Sequence, residues 1–116
     1  MSISKNNGVI ILGHPRSGTT LLRRLLNGHD NLYCPGETHV LNSCARFIQA
    51  ETTAHNVDMG VLSGMHFTGI PEEEILNSVR DLGFSLLKKA TPSKAGKRWV
   101  EKTAADSYYI KEIDQL

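Results

Sequence analysis

A chain of 116 residues with a formal net charge of +1 is long enough for one domain with its own core, and residues 1–116 are predicted to form a single domain. The 13 basic and 12 acidic side chains predict no broad surface for nucleic acid or an acidic membrane, so any anion has to bind locally. No apolar run approaches the roughly 20 residues of a membrane span, and the polar N-terminus lacks the apolar core of a secretory signal.

The first half of the chain predicts a strand followed by two helices. Val9 to Leu12 are all apolar, which is typical of a parallel strand covered on both faces. A helix is predicted from about Gly18 to Asn27, and residues 29–36, with their Asp-Asn and Pro-Gly pairs, are predicted to form a loop. Apolar residues at helical spacing predict a second amphipathic helix that begins near Glu37.

The second half is less regular, since residues 51–70 contain three glycines and no clear period. Pro71 and the three glutamates after it predict a helix start. The buried face of this helix is predicted from apolar residues at helical spacing, Ile75, Val79, Leu82 and Leu86. After a break over residues 91–96, we expect a strand over residues 99–102 and a last helix capped by Asp106.

These elements predict an α/β fold, with a parallel sheet of the P-loop type flanked by helices. Two short strands cover only part of a doubly wound sheet, and the last helical pattern runs to Leu116 without a cap. We therefore expect an incomplete, N-terminal portion of the domain, with a C-terminal remainder as its partner. The alternative is that residues 51–70 contain further strands.

The most specific motif is Gly-His-Pro-Arg-Ser-Gly-Thr-Thr at residues 13–20, which we call the P-loop. A strand, a glycine-bounded loop and a helix in this order form a phosphate site in which backbone N–H groups face an anion. The two glycines have the spacing of a nucleotide triphosphatase loop, but Thr19 stands where that loop carries its lysine. The motif therefore favours a phosphate ligand other than Mg-ATP or Mg-GTP.

Residues 13–22 resemble the 5′-phosphosulfate-binding loop of the sulfotransferases that use 3′-phosphoadenosine 5′-phosphosulfate (PAPS). Residues 99–103, Trp-Val-Glu-Lys-Thr, are similar to the Glu-Lys-Thr strand end of many bacterial members. Residues 35–38, Pro-Gly-Glu-Thr, also match, and tyrosylprotein sulfotransferases are similar through the loop and this glutamate. The resemblance implies transfer of a sulfuryl group from PAPS to a hydroxyl or amine of a small-molecule, carbohydrate or peptide acceptor, without a metal.

The cofactor contacts are expected in the P-loop. Arg16 can hold the 5′-phosphate in a forked, charge-assisted contact, while the loop hydroxyls and N–H groups surround the same anion. The residues expected to bind PAPS are Pro15, Arg16, Ser17, Gly18, Thr19 and Thr20. The alternatives are a solvated arginine and threonines that only start the helix.

Glu37 is the candidate general base, for which a raised pKa would be suitable. The alternative is an acid that complements the dipole of the following helix. The resemblance implies that Lys102 steadies the bridging oxygen or the sulfuryl group, against the alternative of a surface lysine. Ala104 stands where the cytosolic small-molecule branch has its histidine base, which favours Glu37, and His39 is a candidate for substrate or charge contacts.

The other chemistry-bearing residues have simpler interpretations. The histidines show no zinc spacing, so no metal site is predicted. Cys34 and Cys44 are too few for a disulfide framework; we expect two buried small side chains in a reducing compartment, the cytoplasm. Trp99 is predicted to belong to the core, with a platform for adenine as the alternative.

Three functions therefore remain in view: a PAPS-dependent sulfotransferase, a Mg-ATP-dependent P-loop kinase relative, and a non-catalytic nucleotide-binding or interaction fragment. The Arg-Asp-Pro segment that sulfotransferases use for the 3′-phosphate does not occur in the sequence.

Overall fold

The computed structural model describes residues 8–91 and 97–116. The predicted break over residues 91–96 lies outside this part of the chain, except for Thr91, at which a helix ends. The elements in chain order are β1 (Val9–Ile11), α1 (Thr19–Asn27), β2 (Leu32–Tyr33), α2 (Val40–Ile48), β3 (Glu51–Thr52), β4 (Asp58–Met59), α3 (Val61–Met65), α4 (Glu72–Ala90), β5 (Arg98–Lys102) and α5 (Ile110–Ile113). Two 3₁₀ turns, His66–Thr68 and Ala104–Tyr109, follow α3 and β5.

The predicted α/β architecture is confirmed by a three-stranded parallel sheet in the order β1-β5-β2, flanked by helices. Strand β5 lies in the middle, with Ile11 of β1 opposite Lys102 and Tyr33 of β2 opposite Trp99. The prediction of a loop over residues 29–36 is wrong at Leu32–Tyr33, because two paired residues are too few to show a strand period. Only the neighbouring strand defines them.

Residues 51–70 contain short strands, but these do not extend the main sheet. Strands β3 and β4 pair with each other in an antiparallel hairpin, with Glu51 opposite Met59. All four residues of the hairpin strands are exposed. The segment therefore forms a separate surface feature that leads into α3.

The core lies where β5 meets the helices and the two edge strands. Val100 is completely buried and packs with Ile11 and Cys34 on one side of the sheet. Trp99 packs with Leu41 of α2 and Leu87 of α4, and its ring stacks on Phe84 with a centroid separation of 5.7 Å. The predicted core position of Trp99 is thus confirmed, as is the burial of Cys34 and Cys44.

The buried face of α4 differs from the predicted one. Leu82 and Leu86 are 58% and 43% exposed, whereas the buried residues are Ile75, Leu76, Val79, Gly83 and Leu87. A Cβ at Gly83 would lie 3.0 Å from Cys44 Sγ, so α2 packs closely against α4 at this glycine. A face that runs through a glycine is invisible to a count of apolar side chains, which is why the prediction followed the exposed leucines.

Three other features also differ from prediction: the cover of β1, the start of α2 and the role of Asp106. Strand β1 is covered less completely on one face than on the other, because Ile10 is 38% exposed and Ile11 is 8% exposed. Helix α1 ends at Asn27 as predicted, but α2 begins at Val40 rather than near Glu37, since His39 has a left-handed backbone with φ 57°. Asp106 does not cap the last helix; it lies inside the 3₁₀ turn, and its carboxylate accepts hydrogen bonds from Asn42 of α2.

The two leucine positions on α4 test this orientation. Leu87→Ala leaves a cavity between α4 and β5, since Leu87 is 1% exposed, and should lower the free energy of unfolding by about 2–5 kcal/mol. Leu82→Ala on the exposed side of the same helix should change it by no more than about 0.5 kcal/mol. Urea denaturation followed by circular dichroism measures both. Equal losses would contradict the observed face of α4.

Candidate functional site

The P-loop is a tight connection between β1 and α1. A Cβ at Gly13 would lie only 2.4 Å from Thr19 Cγ2, so the chain passes close to the first residue of α1 shortly after it leaves the strand. The Ser17 N–H and hydroxyl both donate to the His14 carbonyl, at 3.2 and 2.5 Å, and close a turn. Gly18 then takes a left-handed backbone with φ 88° and caps the helix. These constraints fold the loop back over the first turn of α1.

The folded loop presents an N-terminal helix end to solvent. The first helical hydrogen bond joins Leu22 N–H to the Gly18 carbonyl at 3.1 Å, so the N–H groups of residues 18–21 have no earlier helical partner. No acidic residue lies in the first turn of α1. The positive end of the helix dipole is therefore not offset locally, which favours an anion.

Arg16 lies at the middle of this loop with its side chain exposed and a left-handed backbone, φ 66°. For a residue other than glycine this conformation costs roughly 1–2 kcal/mol. No described residue forms an ion pair with its guanidinium. The loop thus holds an uncompensated cation beside the N–H groups of α1.

Lys102 connects the P-loop helix to the segment before α2. It is the last residue of β5, and its side chain is 5% exposed, so the alternative of a surface lysine is wrong. Its Nζ lies 2.5 Å from Glu37 Oε1 and 3.4 Å from Thr20 Oγ1. The three side chains come from separate parts of the sequence and meet at the carboxyl end of β5, the edge at which open α/β sheets bind ligands.

Glu37 is paired and partly open to solvent. Its side chain is 44% exposed, and it precedes the first residue of α2 by three positions. The hydrogen bond from Lys102 is the main cause that lowers the pKa of Glu37 below its ordinary value, and the Ala104 backbone N–H contributes in the same direction. The expectation of a raised pKa is therefore wrong in this state. Glu37 is an ionised partner of Lys102 rather than only a complement to the helix dipole.

Two further acids, Glu101 and Asp106, are completely buried beside this pair. Burial raises the pKa of both carboxyls. Asp106 Oδ1 accepts from the backbone N–H and the side-chain Nδ2 of Asn42, at 3.1 and 3.0 Å, while Oδ2 has no partner within the described residues. Sequence reasoning assigned neither acid to the site. The available signal was Glu101 itself, an acid in a predicted strand directly after the apolar residues Trp99 and Val100.

The chain matches the family model described as the sulfotransferase family over residues 8–116. It belongs to the sulfotransferase family. No curated protein and no solved structure matches the chain. The match extends across the P-loop, Glu37 and Lys102 alike, and it supports a sulfotransferase-type function in general.

This sulfotransferase family member brings some of its predicted site residues together and leaves others apart. Lys102 Nζ donates hydrogen bonds to both Thr20 and Glu37. The Ser17 hydroxyl is directed to the His14 carbonyl, and the Thr19 methyl group lies against Gly13. These two side chains shape the loop; the Thr19 N–H remains at the helix end, whereas the Ser17 N–H donates to the His14 carbonyl.

His39 is exposed next to Glu37, and its Nδ1 lies 3.1 Å from Asn42 Nδ2. In residues 8–91 and 97–116, no three His, Cys, Asp or Glu side chains come close enough to share a metal ion. Within the same residues, no helix has both the length and the apolar character needed to cross a membrane.

The buried state of Asp106 has a measurable consequence. Because burial raises its pKa, the folded protein loses stability relative to the unfolded chain as pH rises through that pKa. Asp106→Asn removes this titration and keeps an oxygen for Asn42. The difference in unfolding free energy should therefore shift in favour of the variant as pH rises above the ordinary aspartate pKa of 3.8, as measured by urea denaturation.

The exposed Asp81→Asn on α4 is the matched control for the loss of one carboxylate. A shift of the same size in this control, or a shift in favour of the wild type, would contradict the burial effect at Asp106.

Proposed function

We propose that this chain binds PAPS at the P-loop and transfers its sulfuryl group to a hydroxyl or amine acceptor. The observation that carries the proposal is the position of Lys102, whose Nζ contacts both Thr20 of the P-loop helix and Glu37. A buried cation between an anion-binding helix end and an open carboxylate supports group transfer between two bound molecules. The acceptor belongs to the small-molecule, carbohydrate or peptide classes.

The loop fits a phosphate ligand in charge and shape. The N–H groups of residues 18–21 and the exposed guanidinium of Arg16 provide donors to one anion. Thr19 replaces the lysine that steadies the outer phosphates of a nucleoside triphosphate, so the loop lacks one of the charges that Mg-ATP requires. When bound, PAPS would supply an activated sulfuryl group attached to a phosphate leaving group.

Lys102 provides electrostatic stabilisation in this proposal. Its ammonium is nearly removed from solvent, so its field acts with less screening than that of a surface lysine. A fixed cation beside Thr20 favours negative charge that develops on an oxygen near the P-loop. The hydrogen bonds to Glu37 and Thr20 fix the position of Nζ before any ligand arrives.

Glu37 receives the proton of the acceptor in this proposal. The carboxylate is ionised at neutral pH, since Lys102 lowers a pKa that is already well below 7, and its 44% exposure leaves it accessible to a second molecule. A low pKa also makes it a weak base. Any contact that draws Lys102 Nζ away from Glu37 removes the main cause of the lowered pKa and makes Glu37 a stronger base.

Ligand choice at the P-loop is tested by calorimetric titration with adenosine 3′,5′-bisphosphate, with Mg-ATP for comparison. We expect binding of the bisphosphate, weakened about 10- to 100-fold by Arg16→Ala because one charge-assisted contact is lost. Arg24→Ala, on the exposed side of α1, should bind like the wild type. A preference for Mg-ATP would indicate a kinase relative instead.

The roles of Glu37 and Lys102 are tested by transfer from radiolabelled PAPS to a panel of phenol, carbohydrate and tyrosine-peptide acceptors. Glu37→Gln should slow transfer about 10²- to 10⁴-fold, since the proton acceptor is lost while the shape is kept. Lys102→Ala should abolish measurable transfer, because the buried cation is lost. Glu73→Gln on the exposed face of α4 is the control and should transfer like the wild type. Binding without transfer by the folded wild type would favour a non-catalytic nucleotide-binding fragment.

A further inference from the structure

Glu101 is a completely buried carboxylate to which the proposed reaction assigns no role. It directly precedes Lys102 on β5. Its Oε1 accepts a hydrogen bond from the Thr103 hydroxyl at 2.5 Å, and its Oε2 accepts one from the Thr38 hydroxyl at 2.7 Å. Thr38 directly follows Glu37, and Thr103 directly follows Lys102. One carboxylate therefore holds the two residues that adjoin the Glu37–Lys102 pair.

The hydrogen bonds around Glu101 run in one direction. The Val40 N–H donates to Thr38 Oγ1 at 3.1 Å, and the His39 N–H donates to Thr103 Oγ1 at 3.2 Å. Each threonine hydroxyl has a single hydrogen, which it donates onward to Glu101. An ionised carboxylate accepts at both oxygens and completes both paths. An amide or a protonated acid at this position would itself donate a hydrogen bond to one of the two threonine hydroxyls. That threonine could then no longer donate its own hydrogen to residue 101.

The charge of Glu101 is not explained by packing. Burial of a carboxylate costs several kcal/mol unless it is paired or hydrogen-bonded. No described cation forms an ion pair with it. An apolar side chain would fill the same strand position at no such cost, as Val100 does one residue earlier. The two hydroxyl donors offset part of the cost of burial, and the carboxyl group in turn links Thr38 to Thr103.

We propose that Glu101 is a positioning residue, which sets the separation of Glu37 and Lys102 by holding Thr38 and Thr103 on the two oxygens of one carboxylate. The inference rests on the proposed function, in which the Glu37–Lys102 pair is reactive. Glu101 itself lies behind the pair, without contact to solvent, and acts only through the two threonines.

The ionisation of Glu37 reports directly on this separation. The charged and titratable groups that act on it are Lys102 at the end of β5, His39 before α2 and Asp106 in the 3₁₀ turn. The Lys102 hydrogen bond is the largest of these influences. If the threonines move, Lys102 Nζ and Glu37 Oε1 separate, and the pKa of Glu37 rises toward its ordinary value.

The test follows the side-chain carboxyl ¹³C signal of Glu37 through a pH titration of the full chain without ligand. Thr38→Val and Thr103→Val remove each hydroxyl with little change of shape, and both should move the Glu37 titration to higher pH. Thr38→Ser and Thr103→Ser keep the hydroxyls and should restore it. In transfer assays the two valine variants should lower kcat about 10- to 100-fold through misplacement of the pair, with an unchanged Kd for adenosine 3′,5′-bisphosphate.

Thr91→Val is the matched control, because Thr91 is also buried and its hydroxyl donates to the Leu87 carbonyl at 3.0 Å, at the far end of α4. It should lower stability without any change in the Glu37 titration. An unchanged Glu37 titration in folded Thr38→Val and Thr103→Val variants would overturn the proposal.

If the valine variants do not fold, Glu101→Asp provides the decisive measurement, since it keeps the charge and shortens the carboxylate reach by one methylene. A moved Glu37 titration then supports the role of Glu101, and an unmoved one overturns it. These titrations need neither PAPS nor turnover. A moved titration together with a wild type that transfers nothing would therefore reject the proposed function alone.

Discussion

The parallel pairing of β5 with strands on both of its sides is the constraint on which the remaining structure depends. A strand with two neighbours has its backbone fixed along both edges, and the pairing with β1 places Lys102 level with Ile11, the last residue of β1, two residues before the P-loop begins at Gly13. A slip of one residue would turn Lys102 to the opposite face of the sheet. The register between β1 and β5 therefore decides whether the lysine and the P-loop helix can meet.

The site that results is built from buried charge at a sheet edge. Glu101 and Asp106 are fully buried acids, and each is held by groups of α2 or of the segment before it, Thr38 and Asn42 respectively. Lys102 is the only described cation that bonds to an acid of this cluster. The local hydrogen bonds and the burial of each acid therefore set the direction of its pKa shift. Those bonds lower the pKa of Glu37, whereas burial dominates at the other two.

The fold class and the three side chains that meet at β5 follow from short sequence signals. Glycine spacing defines the P-loop, and a buried strand that ends in a lysine places that lysine at the ligand edge of a parallel sheet. The resemblance to sulfotransferases adds Glu37, which composition and periodicity alone describe only as an acid before a helix. The actual start of α2 depends on the left-handed backbone of His39, for which the sequence offers no pattern.

The features missed by prediction depend on contacts with residues that are distant in the sequence. Strand β2 exists only because β5 lies beside it, and the buried face of α4 passes through Gly83 because α2 approaches there. The sequence does not distinguish Glu101 and Asp106 from exposed acids, since it gives no direct measure of burial. Their structural roles are visible only from their hydrogen-bond donors, the Thr38 hydroxyl for Glu101 and the Asn42 amide for Asp106.

The left-handed backbones of Arg16 and His39 lower the stability of the folded chain, while the side chains of these residues lie at the candidate site. Glycine adopts such conformations without strain, so selection for thermal resistance alone would favour glycine at both positions. The same changes would delete a guanidinium from the P-loop and an imidazole from beside Glu37. Selection for heat tolerance alone would therefore favour a more stable protein in which the P-loop lacks its guanidinium and Glu37 lacks the neighbouring imidazole.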